Sequence, residues 1–459
     1  MILSGRWVVP VSSPVLEKAA IVVEGSQIVD SGPAQTIRER YPHHPVRDFP
    51  DSVLLPGLVN AHSHLELTVL RGYLEGLDFW TWIQALTRAK YEFLSREDLL
   101  HSALLGAVEA IHAGITTVGD PMDIGVCLEA VLMAGLRGVL YQEVFSPKPE
   151  EADRALESLQ TKLQELEVRA GHWPEWQGRV RLGVSPHSPY TVSGPLFRNV
   201  CAFAKSKNLP ICIHLAESEP EIQLLQDGTG PIQDSYRKRG IVWDPPCCTP
   251  VEYLRQLGIL GPSTLLVHCI RLVPSDYAIL REHGVSVAHC PKSNWRLGHG
   301  FMNLKEMWRH GIRLGLGSDS VASSNAMDLF EEMRFALANP TFFDKSLSDA
   351  PRRPSAADAL RLATLGGAEA LGLSEGIGSL DAGKQADVIA VDLSKPHLLP
   401  VFSPVDTLVY SARASDVHFV MVAGEVLLDE GRISTISISP LYSQIQRVRE
   451  KLVNAHSQS

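Results

Sequence analysis

The chain has 459 residues, 45% hydrophobic and 20% charged, with a formal net charge of −10 and a pI near 5.9. That length suits one large barrel with a smaller module beside it, and the composition is globular. The acidic balance argues against a nucleic-acid or anionic-membrane surface, which would need clustered Lys and Arg, and no stretch approaches the ~18 apolar residues of a membrane span.

The first residues, "MILSGRWVVPVSSPV", have neither a basic leader nor an unbroken apolar run, so they are not expected to be a signal peptide. Residues 1–52 are β-rich, with "GRWVVPV" and "AAIVVEGSQIVDSG" carrying turn glycines at Gly25 and Gly32. Eight apolar runs then follow: "VLLPGLV" (53–59), "ITTVGD" (115–120), "GVLYQEVF" (138–145), "RVRLGVS" (179–185), "PICIHL" (210–215), "TLLVHC" (264–269), "VSVAHC" (285–290) and "IRLGLGS" (312–318). Helical patterns lie between them. "SREDLLHSALLGAVEAIHAG" has a capping residue at Ser95 and a stop at Gly114; "GPLFRNVCAFAKSKN" and "VPSDYAILREHG" have similar spacing.

Eight strands separated by crossover-length helices predict a parallel sheet closed as a (β/α)₈ TIM barrel over residues 53–375, within the α/β class. No GxGxxG follows an early strand to favour an open doubly wound sheet. Residues 376–435 ("GSLDAGKQADVIAVDLS", "VDTLVYSA", "DVHFVMVAGEVLLDEG") read as short alternating strands that join residues 1–52 in one β-sandwich built from both termini. Residues 436–459, with "LYSQIQRVREKLVNA", read as a closing amphipathic helix. The segment 218–250 is long and poorly patterned, which suggests an active-site lid or a contact in a homo-oligomer.

Seven scattered cysteines, with no CxxC pair and only Cys247 and Cys248 adjacent, point to reduced thiols and a cytoplasmic setting. Cys212, Cys269 and Cys290 flank strand-end histidines and are expected to be buried, facing away from the site.

The chemistry collects at the strand ends. His62 and His64, two apart, share one face at roughly 6.5–7 Å along an extended chain. His214, His268 and His289 end the fifth, sixth and seventh runs, and Asp319 follows the eighth. A barrel gathers all of these ends on one rim, where active sites sit. Three neutral imidazoles and a carboxylate suit Zn²⁺ or Fe²⁺, with a position left for water. Glu217, three residues past His214 and beyond the strand, is placed to serve as a proton shuttle without binding the metal.

"PGLVNAHSH", "HLAE", "VHC", "VAHCPKSNWRLGHG" and "LGLGSDSVASSNAMDLFEEMR" together resemble the amidohydrolase superfamily, in its cytosine deaminase, S-adenosylhomocysteine deaminase and triazine hydrolase branch. "AGKQADVIAVD" is similar to that family's closing module. The resemblance implies His62, His64, His214 and Asp319 as metal ligands, Glu217 as shuttle, and His268 as the group that polarises the attacking water or the tetrahedral intermediate. It places His187, in "SPHSPYTVS", on the substrate, and His289 with Ser293 and Asn294 in or behind the pocket. Relatives with two metals carry a bridging Lys at the fourth strand's end. "RLGVSPHSP" has none, so one divalent metal is expected.

The resemblance implies a hydrolytic deaminase of a small aminated heterocycle, with an adenine-type nucleoside leading; Asp319, on the metal beside the water, is then expected to be the first proton acceptor. Adenosine-type relatives hold ribose with an acid after the first strand, where this chain has Trp80 and Thr81; "DFxxWI" is closer to members acting on 6-aminodeoxyfutalosine. Glu143 is either a substrate contact or an acid behind the site, and Trp80 and Trp82 either stack on the ring or pack in the core. The rival readings are a guanine or cytosine deaminase, a triazine chlorohydrolase, a cyclic amide hydrolase, and a metal-free binding barrel.

Overall fold

The computed structural model describes residues 1–174, 176–340 and 354–457. Its strands run in chain order as β1 (Ile2–Val8), β2 (Leu16–Glu24), β3 (Gln27–Pro33), β4 (Val46–Pro56), β5 (Leu58–Asn60), β6 (Ile115–Met122), β7 (Arg137–Val144) and β8 (Val180–Pro186). The second half supplies β9 (Ile211–Leu215), β10 (Thr264–His268), β11 (Ser286–His289), β12 (Arg313–Leu316), β13 (Val388–Asp392), β14 (Val417–Val422), β15 (Glu425–Asp429) and β16 (Arg432–Ile433).

β5 to β12 form the eight-stranded parallel barrel in sequence order, as the eight apolar runs predict. The barrel closes between its first and last strands: Ala61 N–H donates to Leu316 O at 2.8 Å, and Asp319 N–H donates to His62 O at 2.9 Å. Inside it pack Val59, Ala61, Val139, Tyr141, Cys212, Leu265, Val267, Ala288 and Cys290. Gly315 is needed in this wall, because a Cβ there would stand 2.8 Å from Gly367 Cα and 2.9 Å from Ala61 Cβ.

The cysteine expectation is corrected here. Cys212 lies two residues before His214 on the same strand, so the two share the inward face, and Cys290 belongs to the interior cluster as well; Cys269 alone packs in the outer layer. All three are buried and free.

The remaining strands form one mixed sheet, ordered β16-β15-β14-β13-β4-β1-β2-β3, so the two chain ends meet where β4 pairs antiparallel with β13. The sheet curls over its own core of Leu3, Ile21, Ile28, Phe49, Val388 and Phe419 and packs its other face against the barrel. β4 crosses the expected boundary at residue 52: it stays in this sheet as far as Pro56, and Gly57 turns the chain into β5. A further correction concerns "VDTLVYSA". Its apolar alternation is also compatible with a short helix, and Ser403, accepting from Asp406 N–H, caps Pro404–Tyr410 as one. The closing helix spans Ile438–Ser457; the last two residues of the expected segment lie outside the described residues.

The expected barrel helices are Arg96–His112, with a full capping box between Ser95 and Asp98, Gly194–Lys207 and Pro274–His283. The 218–250 segment is more regular than its sequence suggests. Two helices, Glu219–Asp227 and Gly230–Lys238, each start with Pro in the first turn and are separated by Gly228 in a left-handed turn. Their buried apolar residues, Leu224, Leu225, Ile232 and Tyr236, are too few per turn to show as a periodic stripe.

The two modules are joined by a buried ion pair. Arg137 on β7 donates to both carboxylate oxygens of Asp387 at 2.9 and 3.1 Å, and Asp387 also accepts the Ala423 N–H at 2.7 Å. Removing one member leaves the other charge buried, so Asp387→Ala is expected to lower unfolding stability by about 3–5 kcal/mol, read by denaturant titration. A loss below about 1 kcal/mol would show that water replaces the missing partner.

Candidate active site

At the C-terminal rim of the barrel the backbone leaves the strands through left-handed residues that are not glycine: Ala216 (φ 51°), His268 (φ 73°), Cys269 (φ 49°) and Asp319 (φ 57°). Such conformations cost energy and persist where the surroundings enforce them. At Ala216 the enforcing group is Glu221, buried, whose carboxylate accepts the N–H groups of Ala216 and Glu217, each at 2.9 Å. Burial pushes the Glu221 carboxyl up to about 8 despite those bonds.

The rim brings together most of the residues expected from the sequence. The nitrogens of His62 and His64 lie 3.5 and 3.6 Å from Asp319 Oδ1. Ligating atoms of His62, His64 and Asp319 fall within 4.8 Å of one another, as do those of His62, His214 and His268. Burial depresses the imidazoles of His62 to about 4 and of His64 and His214 to about 3, so they are neutral with a lone pair free. Burial also opposes the charge on Asp319, but the neighbouring His62 imidazole and the field of a charged His268 hold its carboxyl well below the usual range.

His62 is completely buried with both ring nitrogens lacking a protein partner. Orphaned polar atoms are rare in protein interiors, and a cation between His62, His64 and Asp319 would take the lone pair of Nε2, the nitrogen that faces Asp319. Supporting contacts orient the set. His214 Nδ1–H donates to His187 O at 3.2 Å, which presents Nε2 to the centre, and Ser293 Oγ and Ser320 N–H donate to Asp319. The residues present fit a divalent ion held by imidazole and carboxylate.

A cavity of about 680 Å³ opens above this cluster. His64, His187, His214, Glu217, His268 and Asp319 line it, together with Glu143 and Trp80. His187 Nδ1 is engaged with Thr191 Oγ1 at 2.9 Å. Burial raises the Glu143 carboxyl to about 8, only partly countered by the ammonium of Lys90. Trp80 packs with Tyr190, Ile232 and Tyr236, and Trp82 stacks on Phe79, so both tryptophans are wall and core at once. His289, buried between interior residues Ala288 and Cys290 and close enough for His268 to act on it, does not line the cavity; of the two expected placements this is the one behind the pocket.

Glu217 is buried, with Oε1 3.4 Å from His268 Nε2 and 3.3 Å from His299 Nε2. Burial would raise its carboxyl, but positive charge on His268 and His299, when they carry it, outweighs burial and holds it at about 2. His268 Nδ1 meets Asn294 Oδ1 at 2.9 Å.

Sequence reasoning missed His299, which stands between two glycines on a loop and has no strand-end signal. It also missed Lys90, buried in the cavity wall against Glu66, and the side chains of Tyr236 and of Arg239, which caps the second of the 219–238 helices. The pairing of Lys90 with Glu66, 24 residues away, leaves no local pattern.

The amidohydrolase family model matches residues 53–427. The chain belongs to the amidohydrolase family. It is 34% identical over 449 residues, 97% of each chain, to the 5-methylthioadenosine/S-adenosylhomocysteine deaminase of Moorella thermoacetica. An adenosine deaminase from Xanthomonas campestris with bound zinc superposes with a TM-score of 0.85 at 27% identity, covering 99% of this chain and 98% of that one. The atrazine chlorohydrolase of Arthrobacter aurescens complexed with zinc, at 22% identity and a TM-score of 0.82 over 97% and 99% of the chains, shares the fold.

Metal analysis of the purified protein is expected to find about one divalent ion per chain, held by His62, His64 and Asp319 together with His214. His214→Ala should lose it while keeping the far-UV circular dichroism of the fold. Two stoichiometric ions would instead implicate Glu143 and His187, whose ligating atoms lie within 4.8 Å of those of His214.

Proposed function

We propose that this amidohydrolase is a hydrolytic deaminase of adenine nucleosides carrying a substituent on the sugar, with His62, His64, His214 and Asp319 holding one zinc ion. The observation that carries the reading is Glu217: a buried carboxylate facing the cavity beside the histidine–aspartate cluster, with no Lys or Arg bound to it among the described residues. The family and the names of the relatives point the same way.

A divalent ion in that cluster, when bound, supplies Lewis-acid activation of a water molecule. The protein's own groups account for the protons. His268, with Nδ1–H committed to Asn294 Oδ1, turns the bare lone pair of Nε2 to the site and accepts a hydrogen bond from the attacking water. Asp319, fixed by Ser293 and Ser320, is the first proton acceptor. Glu217, ionised at rest, takes the water's other proton and delivers it to the ring nitrogen beside the amine-bearing carbon, which makes that carbon more electrophilic. The water oxygen bonds to the carbon, the proton held by Asp319 passes to the amine, the carbon–amine bond breaks, and ammonia leaves.

His187, through Nε2, and Glu143 are proposed as substrate contacts, with Trp80 against the ring or the sugar substituent. Thr81 is not available for the sugar, because its hydroxyl donates to Asp78 at 2.6 Å in the cap of helix Phe79–Arg88. Of the readings left open for Glu143, substrate contact fits its place in the cavity wall. The cavity volume lies in the range of sites that enclose a whole small-molecule ligand, and its aromatic walls suit a nucleoside larger than adenosine. Seven free cysteines support a cytoplasmic location; no helix among the described residues is long and apolar enough to cross a membrane.

Ammonia release from 5-methylthioadenosine, S-adenosylhomocysteine, 6-aminodeoxyfutalosine, adenosine, guanine and cytosine tests the proposal. One of the first three is expected to have the highest kcat/KM, with adenosine poorer. A clear preference for a triazine chloride or a cyclic ureide would overturn it. Glu217→Gln should keep the metal and lose roughly 10²–10⁴ in kcat, the usual worth of a positioned acid–base group; loss of metal in that variant would make Glu217 a ligand.

A further inference from the structure

His299 sits on the loop between Gly298 and Gly300, which take φ values of 74° and 94°. Its backbone N–H donates to Asn294 O at 2.9 Å, and its ring meets Phe79 edge-on at 4.6 Å between centroids. The ring is therefore fixed by its own loop and by a cavity-wall aromatic. It is only 5% exposed and does not line the cavity. Its Nε2 lies 3.3 Å from Glu217 Oε1 without a formed hydrogen bond, and has no other partner among the described residues.

A buried ring nitrogen with one neighbouring acceptor is a group waiting for that acceptor. The tautomer of the other imidazole strengthens the point. Asn294 Oδ1 can only accept, so His268 carries its proton on Nδ1 and turns a lone pair, not a donor, toward Glu217 Oε1. The two imidazoles approach the same carboxylate oxygen, yet only His299 can donate to it while His268 is neutral. Hydrogen bonds of this kind are often long before substrate binds and tighten in the reactive complex.

We infer that His299 is a positioning residue for the shuttle carboxylate: its Nε2–H clamps Oε1 of Glu217, so that Oε2 is the oxygen presented to the substrate ring. It touches neither substrate nor metal cluster. Its action runs through Glu217, and the inference rests on the deaminase reading above. Without the clamp the carboxylate can rotate about its terminal bond and Oε1 loses its donor, so proton delivery suffers more than binding.

The test uses the metal-loaded protein and whichever nucleoside it deaminates best. His299→Leu, which removes the donor, is expected to lower kcat by about 10- to 100-fold with KM changed less than about threefold and metal content unchanged; this split marks an interaction made mainly in the transition state. His299→Gln, whose amide can donate, is expected to recover most of that loss. In a Glu217→Gln background, His299→Leu should cause little further loss, because the group it positions has already lost its function.

The inference is overturned if His299→Leu keeps wild-type kcat, if the two losses simply multiply in the double variant, or if the leucine variant loses metal. It is also overturned if His299→Gln is as slow as His299→Leu. Failure of the deaminase reading looks different: the unaltered protein would release no ammonia from any nucleoside.

Discussion

Asn60 and Ser318 are 258 residues apart in the chain, yet Asn60 Nδ2 donates to Ser318 Oγ at 2.7 Å and Ser318 N–H donates to Asn60 Oδ1 at 3.0 Å. This buried pair of bonds clamps the seam where the barrel's first strand meets its last. Two residues past Asn60 and one past Ser318 the seam continues as the Asp319 N–H to His62 O bond. Two candidate ligands are thus fixed by backbone geometry, not by flexible side chains reaching across space. His64 follows on the same strand extension, and Ser63 Oγ, donating to Asp120 at 2.7 Å, anchors the turn between the two histidines. Holding a site to this tolerance from rigid elements is what catalysis by orientation needs.

The chemistry at the seam depends on burial. Imidazoles in water would be partly protonated near neutrality, and a cluster of cations would repel a metal. Desolvation removes that competition at His62, His64 and His214. The same burial would neutralise Glu217, as it does Glu143 and Glu221, were it not for the imidazoles beside it. Three nearby glutamates therefore differ in character through their surroundings alone. Glu221 braces backbone, Glu143 faces the cavity as a carboxyl of raised pKa, and Glu217 is ionised and set to relay protons.

Much of this was legible in the chain. Period and spacing revealed the eight strands, and parallel strands must end on one rim, so His62, His64, His214, His268 and Asp319 could be placed together before any coordinates. What stayed hidden had a physical reason. Cys212 and Cys290 face inward because side-chain direction follows parity within a strand, whereas His268 and Asp319 are re-aimed by left-handed backbone that leaves no pattern in the residues. "VDTLVYSA" alternates like a strand, but a proline in the first turn and a serine cap made it helical. The 219–238 helices bury too little apolar surface to announce themselves, although they wall the cavity. His299 is the sharpest case: a histidine in a glycine-flanked loop carries no signal of its own, and its meaning comes from a carboxylate 82 positions earlier in the numbering.

The central claim is that one ion is held jointly by the two sides of the barrel seam and by the fifth strand. Crystals of the zinc-loaded protein measured at the zinc absorption edge test it most directly. The account predicts a single anomalous peak, with nitrogens of His62, His64 and His214 and a carboxylate oxygen of Asp319 about 2.0–2.2 Å away, and with Glu217 and His268 outside bonding distance. A peak lacking Asp319, one bonded to Glu217, or a second peak of equal height between Glu143 and His187 would contradict it.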